Sequence, residues 1–524
     1  MLKKLFLVLF VIGLLTACAS TPIRSDKNYV YYEIFVGSFY DTNEDGMGDL
    51  KGVEEKLPYL NDMGVGGIWL MPINPSPTYH KYDVTDYKAI DPKYGTMDDF
   101  DNLIAKANEY KIDIIIDLVL NHSSSEHPWF IEAKRQVLND ECNLEPSYCD
   151  YYVFSEQAQG KYYPIGKGYY YEALFWDKMP DFNLDNPKVR EEFASIMKFW
   201  LDKGVKGFRL DAVTSFYNQD TTRNNEFLAW VSDTAKSYKE DAYIIGEAWS
   251  SEGTVLKYYQ SGVESFFNFG LSAADGKIAS TIRSKKGQDL ATALVNYQAQ
   301  VKAINPDALD APFISNHDQG RSAAYFKSDQ VIALKQMASL YLLMLGRSFI
   351  YYGEEIAMRA SGKDENKRLP MIWSLSDKTG QTLGPIAADY KNELTAGVDE
   401  QLKDKNSLLN HYKNLTRIKN TYDVITEGDL EALELHPNVY AIKSSNETEA
   451  VIVIHNLAEE KVTLKYDFSE YKIVEQIYHL STKKARLNPQ YIEIEASNSV
   501  VLQRKYASLR LVCLLYLHLV MITI

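Results

Sequence analysis

Apolar positions along the chain form short continuous runs separated by stretches with helical periodicity. Eight such runs predict buried strands, at 30–36, 66–72, 113–119, 207–211, 242–248, 264–269, 310–316 and 347–353. Continuous rather than alternating runs are typical of parallel strands covered on both faces. Eight strands that alternate with helices predict an α/β fold, a (β/α)8 TIM barrel.

Helix signals between these runs support the same architecture. Thr96 and Asp99 stand in capping-box positions before an apolar stripe that includes Phe100 and Ile104. Asn186 and Pro187 begin a second amphipathic helix, which Gly204 ends. The barrel is therefore predicted to occupy residues 28–120 and 186–425.

Two regions depart from the alternation and predict separate domains. Residues 121–185, after the third strand, are rich in Tyr, Gly, Lys and Pro and predict a small inserted domain. Residues 426–505 contain runs at 430–443, 450–456, 461–468 and 497–502 without helices between them. This second region predicts a C-terminal antiparallel β-sandwich.

The chain begins with a targeting pattern. A basic start and an apolar run precede Leu15-Thr16-Ala17-Cys18, which resembles a bacterial lipobox. We expect a signal peptide at 1–17, lipid attachment at Cys18 and a polar tether at 18–27. An uncleaved anchor helix is the alternative, but the apolar run is short for a bilayer. The protein is thus expected to be an exported, membrane-anchored lipoprotein. The apolar tail at 506–524 has no predicted role.

Composition narrows the class of partners. The 524 residues are 46% hydrophobic and 24% charged, as in ordinary globular proteins, and carry a formal net charge of −15. This negative charge argues against nucleic acid as a partner. We expect a monomer.

Cys142 and Cys149 lie in one polar loop of an exported chain. Either a disulfide between them or two free thiols is consistent with the sequence.

A loop after the first strand has the spacing of calcium ligands. Asp41, Asn43, Asp45 and Asp49 supply side-chain oxygens around a turn at Gly46, and Met47 supplies a backbone carbonyl. Hard oxygen ligands at alternate positions match the first half of an EF-hand loop. A solvated acidic turn is the alternative. The regular spacing predicts a structural Ca²⁺ site.

Polar groups end four of the predicted strands. Arg209 and Asp211 point to the same side of their strand, since side chains alternate. Alone, such a pair is most often a simple ion pair. Here it is accompanied by strand ends at 117–122, 245–249 and 314–318, each carrying carboxylate or imidazole groups. The carboxyl ends of barrel strands are where catalytic residues lie.

Three of these groups suit glycoside hydrolysis. Asp211, beside Arg209, is kept ionised as a nucleophile must be, and Glu247, between small and apolar neighbours, suits a general acid. Two carboxyl groups that act as nucleophile and acid/base define the retaining mechanism. Asp318 supplies a third charge, which can stabilise a cationic transition state.

Seven stretches together resemble the α-amylase family of glycoside hydrolases, closest to its bacterial lipoprotein members. They are DTNEDGMGDLKG (41–52), YHKYDVTDY (79–87), DLVLNH (117–122), MPDFN (179–183), GFRLDAV (207–213), IGEAW (245–249) and ISNHD (314–318). The resemblance implies that Asp211 is the nucleophile, Glu247 the acid/base and Asp318 the transition-state stabiliser. It also implies a set of substrate-binding residues. By this resemblance, Tyr82 stacks on the sugar, Asp83 hydrogen-bonds it and is braced by Arg321, His122 and His317 bind its hydroxyls, and Arg209 orients Asp211.

The expected substrate is starch-like α-1,4-glucan or maltooligosaccharide. Many α-amylases carry a Lys-His pair shortly after the nucleophile, whereas Ala212-Val213-Thr214-Ser215 follow Asp211 here. MPDFN is also nearer the motif of oligo-1,6-glucosidases and neopullulanases. An exo-acting α-glucosidase of that kind is therefore the alternative. A non-catalytic glucan-binding lipoprotein is the alternative from another class, against which the three intact carboxylates argue.

Overall fold

A computed structural model describes residues 29–505. The predicted signal peptide, the lipid site at Cys18, the tether and the apolar tail at 506–524 lie outside the described residues. Within 29–505, no helix has both the length and the apolar character needed to cross a membrane.

The strands build a barrel sheet, an inserted sheet and two C-terminal sheets. In chain order they are β1 (Val30–Ile34), β2 (Gly67–Leu70), β3 (Asp113–Leu118), β4 (Phe154–Ser155), β5 (Tyr162–Gly166), β6 (Tyr169–Glu172), β7 (Gly207–Leu210), β8 (Tyr243–Gly246), β9 (Ser265–Phe266), β10 (Ser348–Tyr351), β11 (Asp429–Ala432), β12 (Val439–Ser445), β13 (Ala450–Asn456), β14 (Val462–Lys465), β15 (Tyr471–Ile477), β16 (Arg486–Asn488), β17 (Tyr491–Ile494) and β18 (Ser499–Arg504).

Helices separate the barrel strands and follow the last of them. The α-helices are Leu50–Glu55, Leu57–Asp62, Met97–Glu109, Pro128–Leu138, Pro187–Asp202, Thr221–Tyr238, Glu252–Tyr258, Lys277–Ser284, Gly287–Ile304, Val331–Leu342, Asp364–Lys367, Val398–Lys403, Leu408–Thr421 and Val424–Glu427. The predicted starts hold, because Thr96 and Asp99 form a capping box and the Asn186 side chain accepts from the Lys188 N–H. Gly204, with φ +101°, lies two residues after the end of the helix Pro187–Asp202.

The barrel sheet is parallel and has the strand order β10-β1-β2-β3-β7-β8-β9. The prediction of a strand at 310–316 is wrong. This segment makes a single parallel bridge, which joins Ala311 to Phe267. Pro312 has no N–H to donate, which prevents a regular ladder there. Backbone bonds from Asn268 to Ala311 and from Phe349 to Pro312 nevertheless close the barrel between β9 and β10. The predicted (β/α)8 fold class is confirmed.

Alternation along the strands creates two layers inside the barrel. The lower layer is an apolar cluster, which consists of Tyr31, Trp69, Ile115, Tyr243, Ile245, Phe267, Phe269, Ala311, Phe313 and Phe349. Two residues further along β1, β3 and β8, the next side chains facing the interior are Glu33, Asp117 and Glu247. Dry packing at the bottom thus gives way to charged groups at the carboxyl ends of the strands.

The segment between β3 and β7 carries its own small sheet, in the order β4-β6-β5. It also contains the helix Pro128–Leu138, which the sequence interpretation missed although Pro128 occupies a first-turn position. Cys142 and Cys149 form a disulfide across seven residues. Of the two open alternatives for these cysteines, the structure has the disulfide.

The C-terminal region packs a five-stranded antiparallel sheet near a three-stranded one, around a core that includes Ile452, Leu464 and Ile492. The run predicted at 430–443 is two strands, β11 and β12, joined by a turn. Strands β15, β16 and β17 were not predicted. In β15 the register shifts between Ile473 and Glu475, so its apolar alternation is interrupted.

Candidate active site

The charged upper layer opens into a cavity of about 360 Å³ at the carboxyl ends of the barrel strands. Its lining residues are His80, Tyr82, His122, Phe175, Met179, Asp211, Ala212, Thr214, Ser215, Glu247, Trp249, Asp318, Asp364 and Arg368. The three predicted catalytic carboxylates therefore share one cavity.

Arg209, which is fully buried, connects the charged groups beneath this cavity. Its Nη1 lies 2.7 Å from Asp211 Oδ1, and its Nη2 lies 2.8 Å from Glu247 Oε2. Asp117, level with Arg209 in the β3–β7 register, accepts a further bond from Nη1. One guanidinium thus fixes two carboxyl groups from different strands side by side, the arrangement that a nucleophile and an acid require.

Glu247 is held in the protonated form needed for a general acid. Burial raises the pKa of Glu247 to about 8, reinforced by the negative charge of Asp211 and opposed by Arg209. The Ala212 N–H donates to Glu247 Oε2 at 3.0 Å. Ala212 itself has φ +48°, a strained conformation for a residue with a side chain. The turn directly after Asp211 therefore also positions Glu247.

Asp318 stays ionised because two cations flank it. His317 Nε2 lies 3.0 Å from one carboxylate oxygen, and Arg368 Nη2 lies 3.2 Å from the other. Burial acts to raise the pKa of Asp318, but His317 and Arg368 outweigh it and hold the pKa well below its ordinary value. A permanent negative charge beside the sugar suits the stabilisation of a cationic transition state.

The predicted sugar-binding residues lie in and just behind the cavity wall. Tyr82 and His122 line the cavity, while Arg209, His317 and Asp83 lie behind it. The Tyr82 ring stacks on His317 at 5.5 Å, which holds it flat. His122 Nε2 and Asp83 Oδ2 have no hydrogen-bond partner among residues 29–505. Buried polar atoms left unpaired are suited to bind ligand hydroxyls.

Arg321 is not placed as predicted. It does not line the cavity, and it donates to the Tyr352 carbonyl while its guanidinium lies over the rings of Tyr351 and Tyr352. The expectation from the family resemblance that it braces Asp83 is wrong, because Asp83 accepts from the hydroxyls of Ser76 and Thr78 instead. The guanidinium that reaches the cavity belongs to Arg368.

Comparisons with known proteins agree with this geometry. A family model described as "Alpha amylase, catalytic domain" matches residues 33–428. The chain belongs to the alpha-amylase family. It is 40% identical to Alpha-amylase 3 of Dictyoglomus thermophilum, over 87% of this chain and 90% of that protein. It is 31% identical to an oligo-1,6-glucosidase of Parageobacillus thermoglucosidasius, over 83% of this chain and 90% of that protein.

A solved structure shares this architecture over most of the chain. Eubacterium rectale Amy13B superposes with a TM-score of 0.88 at 38% identity, covering 92% of this chain and 97% of that one. This protein is thus an enzyme of the alpha-amylase type, a glycoside hydrolase.

Several residues of this alpha-amylase-family site were missed by sequence reasoning. Phe175 and Trp249 flank the cavity while 47% and 53% exposed, and Trp249 stacks on Phe269 at 5.0 Å. Exposed aromatic rings beside a sugar-binding cavity offer stacking faces. The signal for Trp249 was its place at the end of the IGEAW stretch (245–249). Asp364 begins the short helix Asp364–Lys367 and Arg368 directly follows it, in a stretch without a recognisable sequence motif.

Backbone N–H groups donate to carboxylates within the predicted calcium loop of this alpha-amylase-family chain. Asp41 accepts from the N–H groups of Asn43, Glu44 and Gly46, at 3.0, 2.8 and 2.7 Å. Asp49 caps the helix Leu50–Glu55. Among residues 29–505, no group of three or more His, Cys, Asp or Glu side chains is gathered as a metal site. The oxygen donors of the loop fit the chemistry of Ca²⁺.

Proposed function

We propose that this protein hydrolyses α-1,4-glucosidic bonds in starch-like glucans and maltooligosaccharides with retention of anomeric configuration. The observation that carries this proposal is the pairing of Asp211 and Glu247 through the single guanidinium of Arg209. The alpha-amylase named among its relatives supports the substrate class.

The chemistry follows from the charge states. Asp211 attacks the anomeric carbon while Glu247 gives its proton to the departing glycosidic oxygen, which leaves a covalent glycosyl-Asp211 ester. Glu247, now ionised, takes a proton from water, whose oxygen attacks the same carbon and restores Asp211. Asp318 stabilises the positive charge of both transition states.

Hydrolysis of α-1,6 bonds is the second candidate, supported by the relative named oligo-1,6-glucosidase. Product analysis on soluble starch, pullulan and isomaltose separates the two. Maltooligosaccharides released from starch, with isomaltose untouched, are expected under the α-1,4 proposal. Glucose released from isomaltose faster than starch is cleaved would replace it with the second candidate.

Retention itself gives a direct prediction. NMR of the first-formed reducing sugar should show the α-anomer, because two successive displacements at the same carbon restore the original configuration. An initial β-anomer would sink the assignment of Asp211 as nucleophile.

We propose further that one Ca²⁺ binds the loop through Asp41, Asn43, Asp45, Asp49 and the Met47 carbonyl. A ligand that binds only the folded state stabilises it by mass action, so chelation should lower the melting temperature by at least about 3 °C. Calorimetry with and without chelator measures this. Asp45→Ala should abolish the response, and Glu44→Ala, in the same loop but outside the ligand set, should keep it. Equal melting temperatures in the wild type, with and without chelator, would refute the site.

The N-terminal pattern supports a proposal about location. A lipid on Cys18 would anchor the enzyme to a membrane outside the cytoplasm, and we propose that it acts there as a monomer. Cys18→Ser should move the protein from the membrane fraction to the soluble fraction. Cys513→Ser is the matched control and should stay in the membrane fraction. Identical partitioning of the Cys18 variant and the wild type would exclude the lipid as anchor.

A further inference from the structure

Glu33 is a buried carboxylate beneath the catalytic cavity that the reaction described above does not use. It lies on β1, is 1% exposed, and is separated from His317 by 284 residues along the chain. Its Oε1 lies 2.5 Å from His317 Nδ1 and 3.4 Å from the His317 backbone nitrogen. Burying a carboxylate is costly unless it is paired, so this contact calls for an explanation.

His317 is bracketed by carboxylates on both ring nitrogens. Nδ1 faces Glu33, and Nε2 faces Asp318 Oδ2 at 3.0 Å. A neutral imidazole carries one N–H only, so both contacts are hydrogen bonds only when the ring is a cation. The other groups facing the ring are the Tyr82 hydroxyl, 2.8 Å from Nε2, and the Trp69 indole, edge-on at 5.5 Å.

We propose that Glu33 is a positioning residue that keeps His317 doubly protonated and thereby fixes Asp318 as an ionised, oriented carboxylate. This role rests on the proposed hydrolysis. Burial acts to lower the pKa of His317, but Asp318 and Glu33 outweigh it and raise the pKa to about 10. Further charged groups near the ring are Asp117, which itself interacts with His317, Arg209, which bonds Asp117, and Arg368, which pairs with Asp318.

Glu33 also balances charge for the transition state. A cationic His317 alone would cancel the negative charge of Asp318 and weaken its attraction for an oxocarbenium-like sugar. With Glu33 added, His317, Asp318 and Glu33 together carry one net negative charge, and Asp364 pairs with Arg368, the second cation beside Asp318. Preorganised negative charge beside a developing cation lowers the barrier rather than the energy of the bound substrate.

The test compares Glu33→Gln, which keeps shape but removes charge, with Glu33→Asp, which keeps charge. Glu355→Gln is the matched control, because Glu355 is equally buried but bonds the hydroxyls of Tyr32 and Tyr59 instead. NMR of ¹⁵N-histidine-labelled full-length protein, with the His317 signal identified by its loss in His317→Asn, reports ring protonation directly.

Glu33→Gln should lower the titration midpoint of His317 by about 1–3 pH units. Its kcat should fall about tenfold or more while KM changes less than about threefold. Glu33→Asp should restore most of both, and Glu355→Gln should leave the midpoint at the wild-type value.

An unchanged His317 midpoint in Glu33→Gln overturns the proposal, whatever happens to activity. So does a midpoint that falls equally in Glu355→Gln. If Glu33→Gln does not fold, Glu33→Asp decides: a midpoint near that of the wild type supports the role, and a midpoint near 6.5 refutes it. Because the titration needs no substrate, failure of the proposed hydrolysis would appear separately, as a wild type that leaves α-glucan uncut.

Discussion

Replacing Asp211 by Asn should lower kcat on maltooligosaccharides by about 10⁴-fold or more, since the loss of a covalent nucleophile removes a complete route to products. An amide is isosteric with the carboxylate but cannot form the glycosyl ester. Arg209 keeps its ion pairs with Asp117 and Glu247, so the fold should survive. Steady-state kinetics with calorimetry on the same samples measures both effects.

The design of this experiment depends on a substrate that needs no proton. A glycosyl fluoride releases fluoride without acid assistance, yet its cleavage still requires the nucleophile. Asp211→Asn should therefore fail on the fluoride as severely as on the oligosaccharide. Asp241→Asn, which affects an exposed ion pair with Lys206, is the control and should retain normal turnover. Near-normal turnover of the Asp211 variant on either substrate would mean that another group attacks the sugar.

The second large effect concerns Glu247 and pH. Its pKa, raised by burial to about 8, keeps the carboxyl protonated below that pH, and the acid is lost as pH rises through it. Wild-type kcat should therefore fall above about pH 8. Glu247→Gln should lose about 10²–10⁴-fold on oligosaccharides because no proton reaches the leaving oxygen. On a glycosyl fluoride, the rate of the first step in Glu247→Gln should fall by less than about tenfold.

Stability gives an independent reading of the same group. A carboxyl whose pKa is raised on folding destabilises the protein as pH rises from its unfolded value toward its folded value. Glu247→Gln should thus melt no lower than wild type at pH 8, where Glu264→Gln, at the opposite end of the barrel, should behave like wild type. A wild-type kcat that stays constant up to pH 9 would contradict the assignment of Glu247 as the acid.

The fold could be predicted wherever local pattern and tertiary environment agree. The run at 113–119 became β3 because a continuous apolar strand suits a sheet covered on both faces. The run at 310–316 looked equally apolar, but Pro312 outweighs hydrophobicity in a ladder that needs every N–H. The helix Pro128–Leu138 was hidden because the surrounding composition favoured irregular structure over its short helical signal.

The same distinction applies to the site, where residues in local motifs could be predicted and residues that meet only in the fold could not. Asp211, Glu247 and Asp318 could be named because each ends a strand within a recognisable motif. Arg368 and Glu33 could not, because their roles arise only when distant segments meet: Glu33 contacts His317 across 284 residues. Arg321 shows the converse error, in which the family resemblance implied a contact with Asp83, whereas the side chain donates to the Tyr352 carbonyl.

The bridged closure at 310–312 has a consequence for how the barrel fluctuates. Most neighbouring strands of the barrel sheet are joined by ladders of four paired residues. By contrast, β8 and β9 share two paired residues, and the closure has one bridge. Segments with few backbone bonds open locally at lower free energy than the rest of a domain. The loop bearing His317 and Asp318 begins directly beyond this closure. We therefore expect the amide protons of this closure, which adjoins one wall of the catalytic cavity, to exchange before those of the four-residue ladders.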